Sequence, residues 1–301
     1  MDWLVFALMG TIFFSAAGVM DKLLLGSYAR DSKAYIVCQI LAQQVFTILV
    51  LAIMGIDFIY PESMLAAVMG ILQLFPSVFY MRAVQVEEAS KVAALEYFYP
   101  VFVFLGAFFL LGETLAFRHF AGGLLLIIGV LLISYRHQDK GEGSFVKLAL
   151  SPALRPFIPY WISMAIYCIA LKCLLESMNE WHLYVWSSLG SLMAIMPLIA
   201  NPSVRQGVMV FFEGGTSAIG ALLSEETFMF LGIIFSIFAY GLGSVTIVTS
   251  IGALQPILTL LLIIILGLIL PGKVKETLDR NSLIQKSLSF IIVLVGIYFV
   301  S

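Results

Sequence analysis

The sequence predicts an all-α integral membrane protein, ten transmembrane helices arranged as two five-helix repeats of inverted topology. Three observations predict it. The 301-residue chain is 61% hydrophobic and 11% charged, whereas a soluble domain averages about 25% charged. Its apolar runs recur at lengths of about 20 residues, enough at roughly 1.5 Å per residue to cross a hydrocarbon core of about 30 Å. Finally, the pattern of each half returns in the other.

The spans follow in order. Span 1 runs from Trp3 to Met20 or on to Leu25, and its small residues suit close helix packing in lipid. Span 2, Ala34–Gly55, carries Gln39 and Gln43 on one face, which predicts that this face looks into the protein. Span 3 is Met64–Val86. Span 4, Ala89–Glu113, holds one carboxylate in its apolar run, Glu96, and one proline, Pro100. Span 5 is Phe117–Tyr135. Span 6 is Phe157–Leu175 and span 7 Leu183–Ala200. Asn201–Ser224 reads as an interfacial helix leading into span 8, which starts near Ser224 and ends near Leu242. Span 9, Val245–Pro271, has its own internal proline, Pro256. Lys273–Lys286 reads as a charged loop, and span 10 is Leu288–Val300. The domains are thus residues 1–135, a linker at 136–156, and residues 157–301.

The repeat rests on particular residues. Asp21-Lys22-Leu23-Leu24-Leu25-Gly26-Ser27 matches Leu171-Lys172-Cys173-Leu174-Leu175-Glu176-Ser177. Laying Pro100 on Pro256 places Ser90 on Thr246 and Val92 on Val248. Gly122 and Gly129 fall on Ser289 and Gly296. Five spans per half is an odd number, so the second half enters the membrane from the opposite side. Such repeats place a substrate site near the midplane. Fourteen of the sixteen Lys and Arg residues fall in loops after odd-numbered spans, which makes those loops and the 136–156 linker cytoplasmic and both termini extracytoplasmic.

Other classes are excluded or disfavoured. A net charge of −2 excludes a broad nucleic-acid surface. Three cysteines without a CxxC indicate neither a disulfide framework nor zinc, and no cofactor is expected. The apolar N-terminus lacks a basic n-region, as suits a retained first span. There is no GxxxxGK[ST], hence no expected use of ATP by this chain. The three histidines are scattered, and neither HExxH nor GxSxG occurs, which argues against a membrane-embedded enzyme.

Tyr80-Met81-Arg82-Ala83-Val84, leading through Glu87, Ala89 and Ser90 to Pro100, then Leu111-Gly112-Glu113 and Gly122 to Val130, resembles the EamA-type branch of the drug/metabolite transporter superfamily. Gly243 to Ser250, running into Ala253-Leu254-Gln255-Pro256, resembles the same unit, although Pro271-Gly272-Lys273 lacks its acidic ending. The resemblance spans the chain as two EamA-type domains. It implies a secondary carrier of small metabolites, often an exporter, in the plasma membrane, with a cavity lined by spans 1, 3, 4, 6, 8 and 9. The alternatives are a non-transporting receptor or scaffold subunit and, further off, an enzyme.

Within such a carrier the candidate residues divide by cost. An intramembrane carboxylate marks a functional site by default, so Glu96 reads as a proton-coupling or substrate-ammonium site. The alternative is a structural carboxylate bonded to a neighbouring span. Lys172 could hold a substrate carboxylate, or snorkel to the interface. Tyr80 and Arg82 read as a cavity rim, with positive-inside anchoring the alternative for Arg82. Gln73, Tyr97, Tyr99, Tyr167, Tyr240, Ser250 and Gln255 could hydrogen-bond a ligand or simply another helix. Glu113 reads as a helix-ending residue, and Glu225 and Glu226 either flank span 8 or lie inside it. Pro100 and Pro256 read as kinks that free carbonyls and permit gating. The expected partners are the lipid bilayer, a small-molecule substrate and protons as the coupling ion.

Overall fold

Apolar side chains on every face of a helix require apolar surroundings on every face, and the structure meets that demand with lipid-facing walls. The computed structural model describes residues 2–29, 31–96, 98–111, 117–134, 154–252, 254–269 and 280–300. These form fourteen helices. The first half gives α1 (Asp2–Ser27), α2 (Ser32–Met54), α3 (Glu62–Val86), α4 (Ala89–Glu96), α5 (Tyr99–Leu111) and α6 (Phe117–Ser134). The second gives α7 (Leu154–Leu174), α8 (Glu180–Ala194), α9 (Met196–Ala200), α10 (Pro202–Phe212), α11 (Gly215–Leu242), α12 (Val245–Gly252), α13 (Gln255–Ile269) and α14 (Arg280–Val300). Among the described residues six helical stretches are long and apolar enough to cross a membrane: Trp3–Ser27, Ser32–Met54, Glu62–Val86, Phe157–Leu174, Glu180–Ala200 and Gly215–Leu242. Val5, Ile48, Ile53, Leu72, Phe109 and Ile291 stand exposed on the outer walls, an arrangement that water would penalise and lipid does not.

Spans 4 and 9 are not single kinked helices. Each is two helices, broken two residues before a proline. Proline cannot donate to the carbonyl four residues back. For Pro100 that carbonyl belongs to Glu96, the last residue of α4, and for Pro256 to Gly252, the last residue of α12. Each proline then occupies the second position of the next helix, where a missing N–H costs nothing. The turns between match as well: Phe98 N donates to Leu95 O and Val101 N to Phe98 O, as Leu254 N does to Ile251 O and Ile257 N to Leu254 O.

The boundaries of the later elements differ from the expected ones. The helix of span 8 begins at Gly215 rather than near Ser224, so Glu225 and Glu226 lie well inside α11, and both are buried. Asn201 caps the separate α10, accepting from Ser203 N at 3.0 Å. Helix α14 begins at Arg280, not Leu288, which takes Lys286 out of the expected loop. Its ammonium is buried and pairs with Glu88 at 2.7 Å. Lys22, Arg82, Lys91 and Arg205, also counted with the loops, are helix residues. Glu113 and almost all of the 136–156 linker lie outside the described residues.

Helices α1 and α11 pack antiparallel, with Phe6 against Phe238, Phe13 against Phe228 and Tyr28 bonded to Ser217. Helices α1 and α3 end together, since Lys22 of one caps the other. Gly70 of α3 and Gly190 of α8 sit where the two backbones touch. A Cβ on either would collide with a carbonyl of the opposite helix, at Ser187 and Ala67. Helices α6 and α14 run antiparallel, Gly129 beside Ser289 and Gly122 beside Gly296. Overlaying α1 to α6 in order on α7, α8, α11, α12, α13 and α14 turns α1–α11 into α7–α3, α5–α7 into α13–α1 and α4–α13 into α12–α5. All of these pairs are in contact.

Candidate functional site

A cavity of about 240 Å³ opens where the two halves meet. Its walls come from α1, α3, α4, α5, α7, α11, α12 and α13, and also from α2 and α8, which the resemblance did not place there. Polar side chains are spread around an apolar frame. Thr11, Gln43, Gln73, Ser77 and Ser236 face Tyr80, Tyr99, Tyr160, Tyr167 and Tyr240. Among the described residues two carboxylates line it, Glu96 and Glu226, and none of the described lining residues is Lys, Arg or His.

Glu96 owes its position to the break after α4. As the last residue of that helix it projects between α7 and α13, where Tyr160 donates to Oε1 at 2.7 Å and Gln255 Nε2 to Oε2 at 3.1 Å. Gln255 sits at the corresponding break in the other half, so each interruption supplies one member of the pair. The carboxylate is clamped by one donor per oxygen and stays at the cavity wall. Beside it, Trp161 Nε1 donates to Leu95 O at 2.7 Å. That carbonyl, at the break, is therefore occupied by an indole and not offered to the cavity.

The other sequence-predicted residues divide. Gln73, Tyr80, Tyr99, Tyr167, Tyr240 and Gln255 line the cavity with Glu96. Lys172 does not. Its ammonium donates to Tyr240 O at 2.8 Å and Gly243 O at 3.0 Å, closing the C-terminal end of α11. Lys22 does the same for α3 through Val84 O and Glu87 O. An ammonium at a helix C-terminus satisfies orphan carbonyls and the dipole together, so Lys172 is a cap. Arg82 is exposed and away from the cavity. Ser250 lies in α12, but its side chain, like Tyr97, is outside the described residues. Pro100 and Pro256 are buried at the two breaks.

One feature escaped the sequence reading. Asp21 is buried, with Tyr35 Oη donating to its Oδ1 at 2.9 Å and Gln39 Nε2 at 2.8 Å. Glu225 and Glu226 adjoin it from α11. The available signal was Asp21 itself, an acid within the apolar run Val19-Met20-Asp21-Lys22-Leu23-Leu24, with Gln39 facing inward from span 2.

Residues 1–135, covering α1 to α6, match the EamA-like transporter family. The likeness covers somewhat less than half of the chain and is confined to its first half. Together with the long apolar helices, this match points to a multi-pass membrane protein. A crystal structure of a protein 17% identical matches 97% of this chain and 97% of its own, with a TM-score of 0.58. That likeness is one of fold, and it covers nearly the whole chain. No curated protein matches the chain.

Proposed function

We propose that the protein is a secondary active transporter that exports a small organic metabolite, such as an amino acid, a sugar or a drug-like compound, across the plasma membrane by alternating access. The observation that carries this reading is Glu96, held at the wall of a polar cavity between the halves by one donor from α7 and one from α13. A carboxylate kept in a membrane interior at such cost, beside space for a ligand, suits binding and release of protons or of an ammonium group. The two carboxylates of the lining, with no basic side chain among its described residues, favour an amine-bearing or neutral polar solute over an anion.

The ten-span inverted repeat belongs to this proposal. Counting α4 with α5, α8 with α9 and α12 with α13 as interrupted spans gives five per half, with α10 at the interface. The antiparallel α1–α11 and α6–α14 pairs and the exchange of packing partners between halves support opposed orientations. Spans 3, 4, 8 and 9 would then rock around the cavity. Both termini face outward and the 136–156 linker faces the cytoplasm.

The test uses purified protein in sealed vesicles, screened against amino acids, sugars and nucleotides. Flux without ATP is expected. Glu96→Gln should abolish or uncouple that flux while the protein still accumulates. Unchanged pH-dependent flux in this variant would remove the coupling role.

A further inference from the structure

We infer that Asp21, Glu225 and Glu226 form a proton-binding site separate from Glu96, one that meets the cavity through Glu226 and holds at least two protons in this conformation. Asp21 and Glu225 are 0% exposed and Glu226 is 3% exposed. Oδ2 of Asp21 and both carboxylate oxygens of Glu225 are sealed from solvent and accept no hydrogen bond. A buried ionised carboxylate without donors is strongly disfavoured, and here three acids lie together.

The groups that face them do not supply a counter-charge. From α2 come Tyr35 and Gln39, both neutral donors to Oδ1 of Asp21, with Gln39 also within reach of Glu225. From α8 comes Tyr184, a neutral and buried phenol whose hydroxyl lies between Thr47 and Glu226. From α10 the packed side chain is Phe211, against Tyr35. On α1 itself, Lys22 turns to the end of α3. Glu96 on α4 is a further acid, close enough to feel the charge of Asp21. Among the described residues no ion pair reaches the three acids, and no group of ligands is placed to hold a metal ion. Tyr35 and Gln39 can support one negative charge at Asp21. With no counter-charge, burial favours the neutral form of the other two carboxyls, and Oδ2 of Asp21 is an open acceptor for a carboxyl O–H from α11.

The site is divided between the halves. Asp21, Tyr35 and Gln39 come from the first and Glu225 and Glu226 from the second. Parting α1 from α11 would hydrate the acids and release their protons, so occupancy follows the conformation as well as the pH. This places a second store of protons beside the one the transport reading assigns to Glu96.

An infrared titration of the full chain in lipid, following the carbonyl stretch of protonated carboxylic acids, tests this without any substrate. Its outcome therefore stands apart from that of the flux assay. Wild type should show protonated carboxyl groups at neutral pH. Glu225→Gln should remove a part of that signal which Glu96→Gln leaves in place. If Glu225→Gln does not accumulate, Glu226→Gln gives the same reading. A signal untouched by either change, or one abolished by Na⁺ or K⁺ at constant pH, would overturn the inference, the second result marking a metal-cation site.

Discussion

Lys22 and Lys172 do the same work one repeat apart, each closing the end of the third long helix in its half. A charged donor to a carbonyl is worth about 1.5–3 kcal/mol. Lys172→Met should therefore lower thermal stability by about that much while leaving the KM of any transported solute unchanged. A raised KM with unchanged stability would return Lys172 to the binding site. Lys286 is a sharper case, because its buried ammonium meets Glu88 at 2.7 Å while Lys91 stands 3.7 Å from the same carboxylate. Breaking a buried pair from one side costs about 3–5 kcal/mol, and removing both partners costs much less. Lys286→Met should be the more destabilised variant in a melting experiment, and adding Glu88→Gln should recover part of the loss. The sequence misplaced Lys286 because a lysine beside a charged loop reads as part of it. Nothing local announces Glu88, nearly 200 residues earlier. Glu96 was legible for the opposite reason, since a lone acid in an apolar run is conspicuous without knowledge of its partners.

The prolines show how much of an element can be read locally. The loss of one donor at Pro100 and at Pro256 determines which carbonyl goes unpaired, and both helices end at that residue. The sequence located the disruption but read it as a kink, because the contacts that hold the broken end, such as Trp161 Nε1 to Leu95 O, come from another helix. The start of α11 was missed on similar grounds. Two adjacent glutamates look like a membrane boundary until Asp21 and Gln39 are placed beside them. The α3–α8 crossing carries its own expectation. Gly70 and Gly190 let two backbones touch, and forcing side chains into packed space typically costs about 1–3 kcal/mol. Gly190→Val should fall at or beyond the top of that range in a melting curve. A variant as stable as wild type would mean that the crossing is looser than its geometry.

For the molecule as a whole, the all-helical, membrane-spanning character was readable from composition and run length, and the repeat proposed for it rests on residues that loop insertions shift without erasing. The crosswise seating of Gly122 on Gly296 and Gly129 on Ser289 is what a two-fold relation between matched residues requires. The cavity was less legible. Its walls draw on ten helices, and residues such as Gln43 and Ser191 join it only through the fold. Orientation remains a matter of charge bias. Single cysteines introduced in residues 136–156 should resist impermeant thiol reagents in intact cells, and labelling there would invert the assignment.

The central claim is that the halves exchange a solute around a cavity whose acid at Glu96 carries the coupling proton. The most direct measurement loads vesicles of purified protein with a solute identified by the screen and follows proton movement driven by the solute gradient alone, without ATP. Wild type should move protons with the solute gradient, and Glu96→Gln should move none. Equal proton movement in both would contradict the account.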